Sequence, residues 1–298
     1  DKVELVVALP GIKMLKHDKI ISWDDFIKKG KDIEINEVES RFDEIKPEDT
    51  SALIYTSGTT GNPKGVILTH DNWDFECQQI LTVAKFKPGD RSISWLPGAH
   101  VFGQAVDLHF TIRESMHTYI VDSPLNTVDY AKEIQPHLFI SVPRIYEKVY
   151  SNFKSAIDSK AILKYGLHIP GLSTLLKKKL KAAAGFSNVT YAISGAAPIN
   201  PDILTLFQFL GIPLFEGYGL TESTAGASLN YGLHNKIGSV GKLFPDTKAK
   251  INDDGEILLQ GRHIMKGYYK NEKASNESLV DGWFLTGDVG KIDNDGFL

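Results

Sequence analysis

The sequence predicts an α/β protein: doubly wound, mostly parallel sheets with helices on both faces, followed by a smaller β-rich subdomain. Between about residues 50 and 225, short apolar runs rich in β-branched residues alternate with longer amphipathic segments. That is the pattern of parallel strands joined by crossover helices. Beyond about residue 228 the runs shorten and Gly and Asp turns separate them, which fits antiparallel strands. With 42% hydrophobic and 23% charged residues among 298, the chain can build a sizeable core and lacks the composition of a disordered one. The expected segments are 1–88, the end of a first α/β subdomain; 89–228, a second; and 229–298, the β-rich part.

In chain order, 3–9 reads as a strand and 22–29 as a short helix within a charged opening that is otherwise hard to assign. Apolar, β-branched runs place strands at 52–56, 65–69, 91–96, 117–122, 138–142, 189–194 and 212–216. Helices are expected between them at 70–85, 100–113, 127–134, 143–158, 173–184 and 200–210. The helix at 100–113 follows the Pro97-Gly98 turn and carries Val101, Phe102, Ala105, Val106, Leu108 and Phe110. In 143–158, Pro143 suits a first helical turn, Ile145 and Val149 give a buried stripe, and Glu147 and Lys148 face solvent. In 173–184, Leu172, Leu175, Leu176 and Leu180 share a face beside Lys177, Lys178, Lys179 and Lys181, and Gly185 is a stop. The strands 248–252 and 256–260 flank an Asp-Asp-Gly turn.

A net charge of −4 gives no electrostatic case for nucleic acid as a partner. No apolar run approaches the ~18–20 residues of a membrane span, and the opening lacks the charged-then-apolar order of a secretion signal. A soluble, cytoplasmic protein is expected. Cys77, the single cysteine, excludes an intrachain disulfide or a cysteine-cluster metal site and reads as a small buried residue. His100 and His109 lack the spacing of paired ligands on one helix, and there is no HExxH pattern, so no zinc site is implied. The first residue is Asp1, and the hairpin begun by GKIDNDGFL has only Phe297 and Leu298 for a return strand. The chain is therefore expected to be the central part of a longer polypeptide.

The densest chemical signal is Tyr55-Thr56-Ser57-Gly58-Thr59-Thr60-Gly61-Asn62-Pro63-Lys64-Gly65, between two apolar strands. Its hydroxyls and glycines make a turn whose backbone N–H groups and side chains can all face a polyanion, and Lys64 adds positive charge. A phosphate cradle follows. It is not the common NTPase loop, because Lys64 is followed by Gly65 and a strand rather than by Ser or Thr entering a helix. A plain surface hairpin would need neither the lysine nor so many hydroxyls.

The remaining candidates each have a local reading. Gly195, Ala196, Ala197 and Pro198 lie between a strand and a helix, where small residues let a flat ring approach the backbone; an ordinary tight turn is the alternative. Tyr218, between Gly217 and Gly219 and just after Glu216, can stack on a purine or be a core aromatic. Thr221 offers a hydroxyl for a phosphate oxygen and Glu222 a hard carboxylate suited to Mg²⁺; a solvated helix-start Glu is the alternative. Asp288 can accept hydrogen bonds from ribose hydroxyls or simply form a turn.

The string TSGTTGNPKGV resembles the phosphate-loop signature of the adenylate-forming enzymes, the superfamily of acyl-CoA synthetases, luciferases and peptide-synthetase adenylation domains. Four further blocks resemble that family's pattern in its order. Leu96-Pro97-Gly98-Ala99-His100-Val101-Phe102 is similar to its LPxxH block, Ser194 to Pro198 to its adenine loop, Glu216 to Ser223 to its nucleotide and magnesium block, and Gly282 to Asp288 to its ribose block. The resemblance implies that Thr56, Ser57, Gly58, Thr59, Thr60, Gly61 and Lys64 hold the β and γ phosphates of ATP. It implies that Thr221 and Glu222 place the α-phosphate and its Mg²⁺, with Glu222 the metal ligand. Gly195, Ala196, Ala197, Glu216, Gly217, Tyr218, Gly219 and Asp288 would hold the nucleoside. His100 would border the acyl pocket near the reacting carboxylate, or be a helix-start histidine with its ring satisfied.

The stretch from Gln135 to Tyr150, with its VPRIYEK string, is similar to one that recurs in long-chain fatty acyl-CoA synthetases. The implied reaction is ATP-dependent activation of a fatty acid through an acyl-adenylate, followed by transfer to coenzyme A. Adenylation of another carboxylic acid, loading of a carrier-protein thiol, and a catalytically silent nucleotide- or acyl-binding module are the competing readings. In the family, a smaller C-terminal domain follows a hinge beyond the GKIDNDGFL segment and brings a lysine to the transferring phosphate. The basic helix at 173–184 could touch an anionic membrane weakly, or pack its leucines and leave a solvated basic face.

Overall fold

The computed structural model describes residues 3–56 and 62–298, and the chain divides into two units, Asp1–Pro47 and Glu48–Leu298. In the smaller unit, parallel strands Val6–Ala8 and Ile20–Ser22 precede the helices Trp23–Lys29 and Ile35–Glu44. Ser22 caps the first helix by accepting from the Asp25 amide at 3.1 Å, and Asp24 and Asp25 oppose the positive end of its dipole. The second helix is absent from the sequence reading because its few apolar residues, Ile35, Val38 and Phe42, lie among charges and stay exposed.

In the larger unit, five parallel strands and two antiparallel ones at one edge form a seven-stranded sheet. From one edge the order is Lys242–Leu243, Ser228–Leu229, Leu214–Tyr218, Tyr191–Ser194, Leu138–Ser141, Arg91–Ser94 and His117–Ile120. The first two pair antiparallel and the rest parallel. Successive side chains on a strand point to opposite faces, and two cores result. Ile140, Ile193 and Phe215 pack on one face with Val101, Val106 and Phe110. Phe139, Ala192 and Leu214 pack on the other with Tyr146, Phe153 and Phe207. The helices are thereby assigned to faces: His70–Val83 and the helical run through residues 101–113 to the first, and Thr127–Ile134, Pro143–Ser159, Ala161–Gly166, Leu172–Ala184 and Pro201–Leu210 to the second.

Three readings are corrected. The strands Thr50–Thr56 and Lys64–Thr69 do not join the parallel sheet. They pair antiparallel with each other, and Lys64–Thr69 pairs with Gly267–Tyr268 from the far end of the chain. The short connection between them leaves no room for a crossover, which takes a dozen or more residues. The buried stripe of Pro143–Ser159 runs through Tyr146, Val149 and Phe153, with Ile145 only half-buried. In Leu172–Ala184, Leu176 and Leu180 are buried but Leu175 is 51% exposed.

The β-rich segment is a four-stranded antiparallel sheet, in order Lys248–Ile251, Glu256–Gln260, Trp283–Val289 and Leu279–Val280. Near its end the Gly296 amide donates to the Asp293 carbonyl at 3.0 Å, the Asp293 amide donates to the Phe297 carbonyl at 2.9 Å, and Phe297 also bridges to Lys242.

His263 is fully buried, stacked 5.9 Å from Phe75, with neither ring nitrogen hydrogen-bonded among the described residues. Burial holds its pKa down at about 4 against an ordinary 6.5. The unfolded chain therefore binds the proton first on acidification. Stability from this residue is intact above the ordinary value and is lost as pH falls from 6.5 toward 4, by up to about 3 kcal/mol. Urea unfolding across that window should show a steeper loss for the wild type than for His263→Phe; equal slopes would contradict this account.

Candidate active site

Register sets the site. Ser141, Ser194 and Glu216 are cross-strand neighbours at or near the carboxyl ends of their strands, so the loops that begin at Gly195 and Gly219 leave the sheet from adjacent strands. The chain also reverses its direction of travel across the sheet between Arg91–Ser94 and Leu138–Ser141. A crevice at the carboxyl ends beside such a reversal is where open α/β sheets bind ligands.

A cavity of about 840 Å³ lies there. Its apolar wall includes Ile80, Phe86, Val106, Phe110, Leu138 and Ile140. Its lining also contains His100, Gly195, Ala196, Ala197, Glu216, Gly217, Tyr218, Gly219, Thr221, Glu222 and Asp288, so residues far apart in sequence border a single space. Thr56 and Lys64 are cross-strand partners at the end of the hairpin and are not in this lining. Ser57, Gly58, Thr59, Thr60 and Gly61 lie outside the described residues.

Each group is held by identifiable contacts. The Tyr218 hydroxyl donates to Asp288 Oδ2 at 2.7 Å, tying the parallel sheet to the β-rich sheet. Burial, and then that hydrogen bond to a carboxylate, pushes the phenol pKa up, so Tyr218 stays a donor. The Asp288 amide in turn donates to Thr286 Oγ1 at 3.1 Å. Glu216 is buried, and burial raises its pKa against the opposing effect of the Ile199 amide, which donates to Oε1 at 3.1 Å. Ala196 has φ +65°, a left-handed conformation that is uncommon outside glycine and disfavoured for larger, β-branched residues. His100 caps the helix that follows it, its Nδ1 accepting from the Phe102 amide at 3.2 Å, and the Phe102 ring lies against Gly195.

Thr221 and Glu222 sit in a single tight turn, Thr221–Ser223, closed by the Leu220 amide donating to Ser223 Oγ at 2.9 Å. The Met265 amide donates to the Glu222 carbonyl at 2.8 Å, and Thr224 Oγ1 donates to the His263 carbonyl at 2.6 Å. One residue that sequence reasoning missed completes the arrangement. The Tyr268 hydroxyl donates to Glu222 Oε1 at 2.8 Å, and Lys64 Nζ lies 4.8 Å from the centroid of the same ring. Tyr268 thus joins the lysine of the glycine-rich hairpin to the Glu222 turn. No local signal marks it, because its strand partner Val66 is some 200 residues away along the chain. Among the described residues no group of three or more His, Cys, Asp and Glu side chains could enclose a metal ion. The donor set of one free carboxylate oxygen and a hydroxyl suits a Mg²⁺ that keeps most of its ligands from phosphate and water.

Gly219 shows how little room the turn leaves. A Cβ there would lie 2.1 Å from the Ala225 carbonyl oxygen, whereas at Gly98 nothing lies within 4 Å. Gly219→Ala should cost about 1–3 kcal/mol in denaturant unfolding, while Gly98→Ala should stay within ~0.5 kcal/mol.

Comparison with known proteins identifies the family. The family model described as AMP-binding enzyme matches residues 3–269. The long-chain-fatty-acid–CoA ligase FadD15 of Mycobacterium bovis is 33% identical over 92% of this chain and 50% of its own length. Human long-chain-fatty-acid–CoA ligase ACSBG2 is 33% identical over 96% of this chain and 48% of its own. The chain spans about half the length of the curated relatives it matches. Among solved structures, Bacillus subtilis o-succinylbenzoate CoA synthetase in complex with the acyl-adenylate intermediate OSB-AMP superposes with a TM-score of 0.71 at 24% identity, over 94% of this chain and 53% of that one. The N-terminal domain of FACL13 from Mycobacterium tuberculosis gives 0.71 at 22% identity, over 93% of this chain and 66% of that one. These two likenesses concern the fold.

Proposed function

This chain belongs to the AMP-binding enzyme family, and from that premise we propose that it is the part of an AMP-forming fatty acyl-CoA synthetase that binds ATP and the fatty acid. The observation that carries the reading is the single cavity whose lining joins an apolar wall to Tyr218, Thr221, Glu222 and Asp288. A hydrocarbon chain fits the former and a nucleotide the latter, so the carboxylate and the α-phosphate would meet where the two linings join.

In the proposed reaction a carboxylate oxygen attacks the α-phosphorus of ATP, the bond to the bridging oxygen breaks, and pyrophosphate leaves with that electron pair. The coenzyme A thiol then displaces AMP from the acyl-adenylate. Thr56, Ser57, Gly58, Thr59, Thr60, Gly61 and Lys64 would grip the β and γ phosphates. Gly195, Ala196, Ala197, Glu216, Gly217, Tyr218 and Gly219 would receive the adenine, and Asp288 the ribose. Thr221 would contact the α-phosphate, Glu222 would hold the Mg²⁺ that travels with ATP, and His100 would border the reacting carboxylate. On this reading 1–88 is the end of a first α/β subdomain and carries the phosphate loop, 89–228 holds the acyl and adenine sites, 229–298 contributes Asp288, and the cytoplasm supplies ATP and coenzyme A.

In the complete enzyme, fatty-acid-dependent pyrophosphate exchange across a chain-length series tests the reading, and coenzyme A against a carrier-protein thiol tests the acceptor. Exchange with no fatty acid would defeat it. Glu222→Ala should raise the Mg²⁺ requirement and slow adenylation at least about 10-fold. Tyr268→Phe, which keeps the ring but releases Glu222 Oε1, should give a smaller rise in the same requirement. Unchanged Mg²⁺ dependence in Glu222→Ala would remove that residue from the metal site.

Weak membrane contact belongs to the same proposal, on a specific observation. Residues 159–201 contain six lysines and no acidic residue, and Ile162, Tyr165, Ile169 and Leu175 are exposed there. Among the described residues no helix is long and apolar enough to cross a membrane, so the contact would be peripheral. Binding to vesicles containing an anionic lipid should exceed binding to neutral vesicles, fall with added salt, and weaken in Lys178→Glu/Lys179→Glu. Equal binding to both vesicle types would refute it.

A further inference from the structure

The lining of the cavity contains a buried acid that the proposed reaction leaves unused, the carboxyl of Glu76. It is 3% exposed, and Oε2 has no hydrogen-bond partner among the described residues. A glutamate on an amphipathic helix normally faces water, yet this one is turned inward by well-defined constraints. The helix His70–Val83 starts in a capping box, with the Thr69 amide donating to Asn72 Oδ1 at 2.8 Å and the Asn72 amide donating to Thr69 Oγ1 at 3.2 Å. Asn72 Nδ2 then donates to the carbonyls of Arg262 and Ile264 at 2.7 and 3.0 Å. Glu76 lies one turn further along that anchored face.

The opposite wall is shaped to admit the carboxyl. A Cβ at Gly226 would lie 2.3 Å from Glu76 Oε1 and 2.8 Å from the Phe244 ring, so only glycine leaves the space. Helix and loop thus accommodate a carboxyl group in which Oε2 has no protein partner. An unmet hydrogen-bonding group in an apolar enclosure is unfavourable until a ligand meets it. Burial also pushes the Glu76 pKa well up, which leaves a neutral acid able both to donate and to accept.

We propose that Glu76 is a specificity-determining residue of the acyl cavity, which recognises an oxygen carried on the chain of the acid, as in a hydroxy or oxo acid, and disfavours a plain hydrocarbon chain. This rests on the acyl-activating reading given above. A site that hydrogen-bonds a substrate hydroxyl discriminates strongly against the analogue lacking it, because its own polar group is then left unpaired.

The test is pyrophosphate exchange by the full-length protein with hexadecanoic acid and with a set of its monohydroxy isomers, the hydroxyl stepped along the chain. At least one isomer should exceed the plain acid in kcat/KM by about 10-fold to 100-fold. Glu76→Gln, which keeps a donor and an acceptor, should retain that preference. Glu76→Leu or Glu76→Met should abolish it and improve use of the plain acid. Exchange with every acid and no preference for any isomer in the wild type overturns the inference whatever the variants do, and so does a preference that survives in either apolar variant. Exchange with no acid at all is a different pattern and defeats the acyl-activating reading itself.

Discussion

A strand buried on both faces cannot slip by one residue without exchanging its two cores, and this constraint governs the molecule. Ile140, Ile193 and Phe215 face one core while Phe139, Ala192 and Leu214 face the other. Any register shift would drive large side chains into space already filled at crystal-like density. With the register fixed, the polar strand ends Ser141, Ser194 and Glu216 lie abreast. The positions from which the Gly195 and Gly219 loops depart are then fixed as well. Site geometry in this unit follows from core packing.

Two hydrogen bonds carry that order outward to elements the parallel sheet does not contain. Tyr218 to Asp288 fastens the β-rich sheet, and Tyr268 to Glu222 fastens the three-stranded sheet that carries Lys64. Both donors are phenols whose pKa burial raises, and each meets a carboxylate, the stronger kind of acceptor. A phenol suits this task because its ring packs while its hydroxyl points, and both rings also border or support the nucleotide side of the proposed site.

What was legible in the sequence divides along physical lines. Parallel strands in an α/β fold are continuous apolar runs, so their positions could be read, and the residues just beyond them share an edge of the sheet by necessity. Gly195 to Pro198 and Glu216 to Glu222, singled out by their resemblance to family blocks, lie at or just beyond the ends of two adjacent strands of that sheet and line one cavity. Pairing between distant segments left no such trace. Nothing local in Gly267–Tyr268 reveals its bond to the Lys64–Thr69 strand, and the hairpin was assigned to the wrong sheet because two β-rich runs look alike whichever sheet they join. The helix Ala161–Gly166 was too short to show a period. Glu76 was invisible because a charge on an amphipathic helix is by default placed in water, and only Asn72 and Gly226, from separate parts of the chain, turn it inward.

Glu76 and Glu216 together define what the cavity offers a ligand. Both are buried acids whose pKa burial raises, yet the Ile199 amide satisfies one oxygen of Glu216, whereas Oε2 of Glu76 has no partner among the described residues. A folded protein tolerates an unsatisfied polar atom only when other interactions hold it in place, and it tends to keep such an atom where a ligand can meet it. Glu216 already has its partner within the fold, so it can act as a fixed wall for the adenine side. On the proposal above the partner of Glu76 comes from a ligand, which would make the same chemical group structural in Glu216 and selective in Glu76.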